Sequence, residues 1–167
     1  MQTGEVGAPD PRRTPVASTV LVAARMSRQR RRDTAPEVAV RRVLFARGLR
    51  YRVNYPVPGM NRRTIDIAFT RAKIAVFLDG CYWHGCPIHG TRPRANAEWW
   101  ASKLDRNQQR DAETSKYLAT HAWIVLRFWE HDAVEHVVDT VSDQIAGITS
   151  PGARRPCLRD AVNARTR

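Results

Sequence analysis

Residues 79–89, which read DGCYWHGCPIH, constrain the fold of this chain more than any other segment. Cys81, Cys86 and His89 are close enough in sequence for two thiolates and an imidazole to bind one tetrahedral Zn²⁺ ion. A fourth ligand must come from farther along the chain, and His131 is the best candidate. The spacing therefore predicts a structural zinc site that holds this segment together.

Five potential ligands compete for four places around the zinc, so one imidazole should remain free for chemistry. We expect this imidazole to be His84. Cys157, in the polar C-terminal region, is an alternative to His131 as the fourth ligand. Three cysteines are too few for a disulfide scaffold, which indicates a reducing cytoplasm as the location. No apolar run approaches the length of a membrane span.

The charge balance points to a polyanionic partner. The chain has 28 basic and 16 acidic residues, a net charge of +12, which favours nucleic acid over a membrane surface. The alternative is a compositional bias toward alanine and arginine. The absence of a glycine-rich phosphate loop argues against a nucleotide-hydrolysing enzyme.

One globular domain accounts for most of the 167 residues. We expect a flexible lead at residues 1–17, a folded domain at 18–148 that includes a basic N-terminal arm, and a basic, disordered tail at 149–167. The arm is defined by five arginines, which we expect to contact phosphates. They are Arg25, Arg28, Arg30, Arg31 and Arg32.

Capping residues and apolar periodicity predict three helices and four strands. The helices begin after the caps Thr34, Asn96 and Asp132 and end near Gly48, Thr120 and Ile148. The strands are Tyr51–Val53, Thr64–Phe69, Lys73–Leu78 and Trp123–Phe128, with a loop at 54–63. This order predicts an α/β fold in which a small mixed sheet is flanked by helices.

Two carboxylates lie near the ends of neighbouring predicted strands. Asp66 is on one strand and Asp79 follows the next, so the two can approach each other across a hairpin and hold Mg²⁺ with water and phosphate oxygens. A neutral His84 can then accept a proton from an attacking water. Zinc would have a structural role and Mg²⁺ a catalytic one.

Several motifs together resemble one family, and they span about two thirds of the chain. They are RDTAPE, TIDIAF, FLDGCYWHGCPIHG, EWWASKLDRNQQRD and WEH. In this combination and order the chain resembles the very short patch repair (Vsr) endonucleases, bacterial enzymes with a restriction-endonuclease-like fold. The resemblance implies a nick 5′ of the thymine in a T:G mismatch, the lesion left when 5-methylcytosine deaminates.

The resemblance also implies residue roles. Asp66 and the backbone carbonyl of Leu78 match the Mg²⁺ ligands. His84 matches the catalytic histidine and Asp111 its acidic partner. The remaining matches are Glu37 near the metal-bound waters and the DNA-wedge residues Tyr82, Trp83 and Trp100.

Two departures from the family pattern matter. Asp79 stands where the best-known member has a second active-site histidine. In the zinc site, Cys86 replaces a histidine, while His89, after a one-residue insertion, and His131 replace cysteines.

Simpler roles exist for four of these residues. Asp66 could be a solubilising charge at a strand edge, and Glu37 could complete a helix capping box. Asp111 could form a surface ion pair with an arginine, and Trp100 could belong to the core.

The favoured function is that of a monomeric, Mg²⁺-dependent, zinc-stabilised endonuclease acting on mismatched double-stranded DNA at the nucleoid. The resemblance further implies contact with mismatch-repair proteins and a linked cytosine methyltransferase. Two alternatives are a related nuclease with a different DNA target and a non-catalytic zinc-dependent DNA-binding module.

Overall fold

The computed structural model describes residues 32–90 and 94–149. The expected lead at 1–17, the basic arm apart from Arg32, and the tail with Cys157 lie outside the described residues. None of the described helices is both long and apolar enough to cross a membrane.

Within the described ranges, three helices and four strands follow one another in the order expected from the sequence. They are α1 (Ala35–Ala46), β1 (Arg52–Pro56), β2 (Thr64–Phe69), β3 (Ile74–Asp79), α2 (Ala97–Thr120), β4 (Ile124–Trp129) and α3 (Val134–Thr149). The four strands form one sheet in the order β1-β2-β3-β4. The pairs β1–β2 and β2–β3 are antiparallel, whereas β3 and β4 run parallel. The prediction of a mixed α/β sheet with flanking helices is confirmed.

Both faces of the sheet are covered, which explains the continuous apolar run of β3. On one face, α1 and α3 contribute Val40, Leu44 and Val138 to a cluster with strand residues such as Val76. On the other face, the last turn of α2 contributes Leu118. A parallel pair such as β3 and β4 needs a crossover connection, and α2 supplies it.

The first strand is longer than expected. The sequence predicted a strand at Tyr51–Val53 and a loop from residue 54, yet β1 runs to Pro56 and pairs with β2 along its length. Asn54 fits because asparagine tolerates the left-handed conformation seen there, with φ 49°. Pro56 fits because it ends a strand at the edge of the sheet. Pairing with β2 therefore outweighs the turn preference of these residues.

One predicted helix start is confirmed and the other is displaced. Asn96 stands at the N-cap of α2, as predicted, but it adopts a left-handed conformation, with φ 56°, and its side chain makes no cap hydrogen bond. Asp132 instead accepts a hydrogen bond from the backbone N–H of Trp129, at 2.8 Å, and so closes the turn after β4. The helix α3 begins two residues later, at Val134.

The start of α1 forms half of the expected capping box. Thr34 makes no side-chain cap hydrogen bond. Glu37 nevertheless reaches back, accepting hydrogen bonds from the N–H of Asp33 at 3.0 Å and the hydroxyl of Thr34 at 2.9 Å. The Glu37 side chain is thereby held at the helix start and is only 10% exposed.

Candidate active site and metal centre

The candidate site lies where β3 and β4 end side by side. Asp79 is aligned with Trp129 in the parallel register. Beyond that pair, the N–H of Glu130 donates to the carbonyl of Asp79 at 2.9 Å. The Glu130 carboxylate in turn accepts from the N–H of Cys81 at 2.7 Å. These bonds fasten the start of segment 79–89 to the segment that follows β4.

Four side chains converge at this junction, with candidate ligand atoms within 4.8 Å of one another: Cys81, Cys86, His89 and His131. Cys81 Sγ lies 3.0 Å from His131 Nδ1 and 3.9 Å from His89 Nδ1. The two Nδ1 atoms are 3.2 Å apart. Ligand atoms around tetrahedral Zn²⁺ stand about 3.3–3.8 Å apart at ordinary bond lengths, so the set is close to that of a zinc site.

The chemistry of this donor set also fits a cation. Burial, together with the Cys86 thiol and the Glu130 carboxylate, raises the pKa of Cys81 to about 12. The thiolate form that binds metal is therefore unfavourable here without a positive charge. A divalent ion would supply that charge, and each histidine would bind it through Nδ1.

His84 lies outside this cluster and belongs to a second group of side chains. Its Nδ1 is 2.6 Å from Asp111 Oδ2 and 3.6 Å from Asp79 Oδ1. Among the described residues, no hydrogen-bonding partner is found for Nε2. The ring lines an open depression together with Gly85, Pro87, Gln108 and Trp129.

The long helix α2 holds the backbone around His84 in place. Asn107 Nδ2 donates to the carbonyl of Trp83 at 2.9 Å, and Gln108 Nε2 donates to the carbonyl of His84 at 3.3 Å. Gly85 adopts φ +69°, and a Cβ there would lie 2.5 Å from Gln108 Nε2. One turn farther along α2, Asp111 binds the His84 ring, so a single helix fixes both the loop and its imidazole.

The charges around His84 favour its protonated form. Burial alone lowers the pKa of His84, but the hydrogen bond to Asp111 and the charges of Asp79 and Asp111 outweigh it and raise the pKa. Burial likewise opposes ionisation of Asp111, yet the bond to His84 and the charge of Arg127 lower the pKa of Asp111. Asp111 is therefore an ionised partner of the imidazole rather than a surface ion pair.

Asp79 has a cationic partner that the sequence did not indicate. Arg127 Nε donates to Asp79 Oδ2 at 2.8 Å, and Arg127 Nη2 donates to the other carboxylate oxygen. A carboxylate bound through both oxygens to a guanidinium is not an open metal ligand. The structure therefore does not support the expected pairing of Asp79 with Asp66 around one ion.

Asp66 lies at the point where β2 and β3 separate. Their register ends with the pair Ile67 and Val76. Beyond it, the N–H of Leu78 donates to Asp66 Oδ2 at 2.9 Å. Burial raises the pKa of Asp66 to about 6, with further contributions from the nearby carboxylates Glu37 and Asp79. This carboxylate is thus electrostatically unfavourable until a cation or a proton reaches it.

The aromatic residues expected to act as a wedge lie together. Tyr82 packs edge-on against Trp83 and Trp100, with centroid distances of 5.0 and 5.3 Å. Lys103 Nζ lies 4.7 Å from the Trp83 ring centroid and 5.1 Å from that of Trp100. Trp100 is only 8% exposed, so it lies within the cluster, whereas Tyr82 and Trp83 are half-buried.

The sequence analysis missed Arg127, Asn107 and Gln108. Arg127 interrupts the apolar run WIVLRFW, and a lone charge in a buried strand was an available signal. Asn107 and Gln108 sit in the motif DRNQQRD, where nothing local distinguishes residues that bind a distant backbone from solvent-exposed ones.

Comparison with known proteins agrees with the resemblance to the Vsr endonucleases. The family model described as DNA mismatch endonuclease Vsr matches residues 21–89. The Type II nicking enzyme V.NaeI of Lentzea aerocolonigenes is 46% identical over 123 residues, which cover 70% of this chain and 74% of that protein. V.NmeDIP of Neisseria meningitidis serogroup C is 37% identical, covering 66% and 74%. The Vsr endonuclease of Escherichia coli K12 is 31% identical, covering 59% and 62%.

Substitution of a zinc ligand should abolish folding. We expect Cys81→Ser to purify without zinc and to lack cooperative thermal unfolding, because a structural zinc ion contributes directly to folding free energy. Zinc content and circular dichroism measure the two effects. Cys157→Ser is the matched control and should keep both zinc and stability. Loss of zinc in Cys157→Ser, with zinc retained in His131→Ala, would identify Cys157 as the fourth ligand instead.

Asp66→Asn should stabilise the protein in Mg²⁺-free buffer above neutral pH. A carboxyl group whose pKa rises from 3.8 to about 6 on folding favours the folded state at low pH and loses up to roughly 3 kcal/mol as the pH rises through that interval. Urea unfolding at about pH 4 and about pH 8 should show the variant's advantage only at the higher pH. Asp105→Asn, at an exposed position on α2, is the control. Equal stability of wild type and Asp66→Asn at the higher pH would contradict the assignment.

Proposed function

Because the chain belongs to the Vsr family of DNA mismatch endonucleases, we propose that it is a Mg²⁺-dependent enzyme that nicks duplex DNA. We further propose that the nick lies 5′ of the thymine in a T:G mismatch left by deamination of 5-methylcytosine. The observation that carries the proposal is the His84–Asp111 pair, which shares one end of the sheet with the half-buried carboxylate of Asp66. A zinc-dependent DNA-binding module has no need for such a pair.

His84 is the proposed general base. Asp111 holds Nδ1 at 2.6 Å, which fixes the ring orientation and directs Nε2 toward substrate. In its neutral form, Nε2 accepts a proton from the water that attacks phosphorus. Asp111 stabilises the imidazolium that results. Asn107 and Gln108 bind the backbone carbonyls of Trp83 and His84 and so hold this part of the chain against α2.

Asp66 is the proposed Mg²⁺ ligand, together with the backbone carbonyl of Leu78. The raised pKa of Asp66 and the nearby Glu37 and Asp79 carboxylates fit a position that a cation normally occupies. Bound there, Mg²⁺ would stabilise the negative charge that develops on the phosphodiester in the transition state. Glu37, held at the start of α1, adds negative charge beside this position.

DNA is the proposed partner because the net charge is +12 and the nicking and repair relatives act on it. Tyr82 and Trp83 are half-buried aromatic residues that directly precede His84 in segment 79–89, and they are the proposed wedge. Insertion beside a mismatch requires less unstacking free energy than insertion into paired DNA. Trp100 packs against both rings, at centroid distances of 5.3 and 5.9 Å, and is only 8% exposed, so its own insertion would require the cluster to open. A monomeric state, contact with mismatch-repair proteins and a linked cytosine methyltransferase stay predictions from the family.

The test is Mg²⁺-dependent nicking of an end-labelled duplex with one central T:G mismatch, next to its T:A control, in several flanking sequences. We expect a single nick 5′ of the mispaired thymine, and we expect Asp66→Asn to abolish it. Cleavage of both duplexes alike would retain the nuclease and reject the repair role. No cleavage in any context by zinc-loaded, folded protein would favour the DNA-binding module.

Asp111→Asn tests the role of the imidazole partner. The amide keeps the shape of the side chain but removes the charge that holds Nδ1, so we expect the single-turnover rate to fall roughly 10²–10⁴-fold. The Kd for DNA and the Mg²⁺ concentration at half-maximal rate should stay near wild type. Asp105→Asn, two turns earlier on α2 and exposed, is the matched control. A rate close to wild type for Asp111→Asn would show that His84 does not depend on this contact.

A further inference from the structure

Arg127 occupies the centre of the charged network beneath the proposed active site. It lies on β4, its side chain is only 12% exposed, and its guanidinium carbon is 4.7 Å from the centroid of the Phe77 ring. Nε and Nη2 both donate to Asp79. Nη2 also lies 3.1 Å from Asp111 Oδ1, and Nη1 lies 3.5 Å from the hydroxyl of Ser115. The Nε and Nη2 atoms of the guanidinium are therefore both engaged by carboxylates of the protein itself.

The two carboxylates that Arg127 contacts are the two that approach His84. Asp111 uses Oδ2 for His84 Nδ1 and Oδ1 for Arg127. Asp79 Oδ1 lies 3.6 Å from the same Nδ1 atom but is bonded to Arg127. Without a cation between them, two buried like charges would repel each other and compete for one imidazole nitrogen. Arg127 removes that competition by engaging Asp79 through both oxygens.

We propose that Arg127 is a positioning residue, which holds Asp79 away from His84 and keeps Asp111 aligned with Nδ1. Asp79 in this arrangement anchors the guanidinium and is not a ligand of the catalytic metal. The proposal rests on the proposed nuclease function for its effect on rate, although the arrangement itself belongs to the free protein.

The alternative that Arg127 binds a DNA phosphate does not fit its surroundings. A phosphate contact needs an exposed guanidinium, whereas this side chain is only 12% exposed and its Nε and Nη2 atoms already contact Asp79 and Asp111. The planar fork of arginine matches a carboxylate through two parallel bonds, which the single ammonium of lysine cannot reproduce. Both the planar shape and the charge of the guanidinium should therefore matter at position 127.

The kinetic experiment compares wild type with Arg127→Lys, Arg127→Met, Asp79→Asn and the double variant Arg127→Met/Asp79→Asn. We expect Arg127→Met to lower the single-turnover rate roughly 100-fold, because misplacement of the base by about 1 Å has effects of that size. The Kd for DNA and the Mg²⁺ half-saturation should change little. In the double variant the Asp79 carboxylate, which has lost its guanidinium partner, is also removed, and the rate should rise about tenfold above that of Arg127→Met. Arg110→Met, at an exposed position on α2, controls for loss of positive charge.

A spectroscopic readout tests the same alignment without DNA or metal turnover. A hydrogen bond as short as that between His84 and Asp111 should give a strongly deshielded Nδ1 proton signal, assigned by its absence in His84→Ala. We expect the signal to be lost in Arg127→Lys and kept in Arg110→Met. If Arg127→Met does not fold, Arg127→Lys and Asp79→Asn decide the question.

Three results would overturn the proposal. The first is a rise of more than about tenfold in the Mg²⁺ concentration at half-maximal rate of Asp79→Asn. The second is a loss of DNA affinity in Arg127→Met without a loss of rate. The third is an unchanged His84 Nδ1 proton signal in Arg127→Lys. A wild type that nicks no duplex would reject the proposed function only. In that case the His84 signal still decides the role of Arg127, because it is measured on the free protein.

Discussion

The parallel pairing of β3 with β4 is the constraint on which the rest of the site depends. In a parallel pair both carboxyl ends lie at the same edge of the sheet, so the segments that leave them must meet. Here the meeting point is fixed by the bonds of Glu130 to Asp79 and Cys81. Segment 79–89 supplies three of the candidate zinc ligands and His84, and the segment after β4 supplies His131. Without the register that aligns Asp79 with Trp129, neither group would assemble.

Much of this could be predicted because the signals are local. Periodicity and turn residues placed the strands and helices in the right order, and the spacing of two cysteines and a histidine indicated one cluster. The choice of His131 to complete that cluster agrees with its position 3.0 Å from Cys81 Sγ. The separation of His84 from the cluster followed from counting ligands. The identity of the metal stays a prediction.

Other features depend on contacts between distant residues. Asp79 looked like a second metal ligand because its partner, Arg127, lies 48 residues away and is brought near only by strand pairing. The capping hydrogen bonds expected from the side chains of Asn96 and Asp132 are absent for a related reason, although α2 does begin directly after Asn96. Capping preferences are modest in energy, and backbone geometry at one site and a competing bond at the other outweighed them. Burial of Trp100 beneath Tyr82 and Trp83 is likewise a tertiary outcome, since neighbouring positions on a helix give little indication of which ring is covered.

The attachment of residues 81–86 on two sides has a consequence for how this protein can diverge. Cys81 and Cys86 belong to the candidate metal cluster, and the backbone at Trp83 and His84 is bonded to α2. An insertion or deletion here would break one set of attachments to keep the other. The turn between β1 and β2 carries no such double restraint at Asn61 and Arg62, which are exposed. Insertions and deletions should therefore accumulate in that turn, while the number of residues between Cys81 and Cys86 stays fixed.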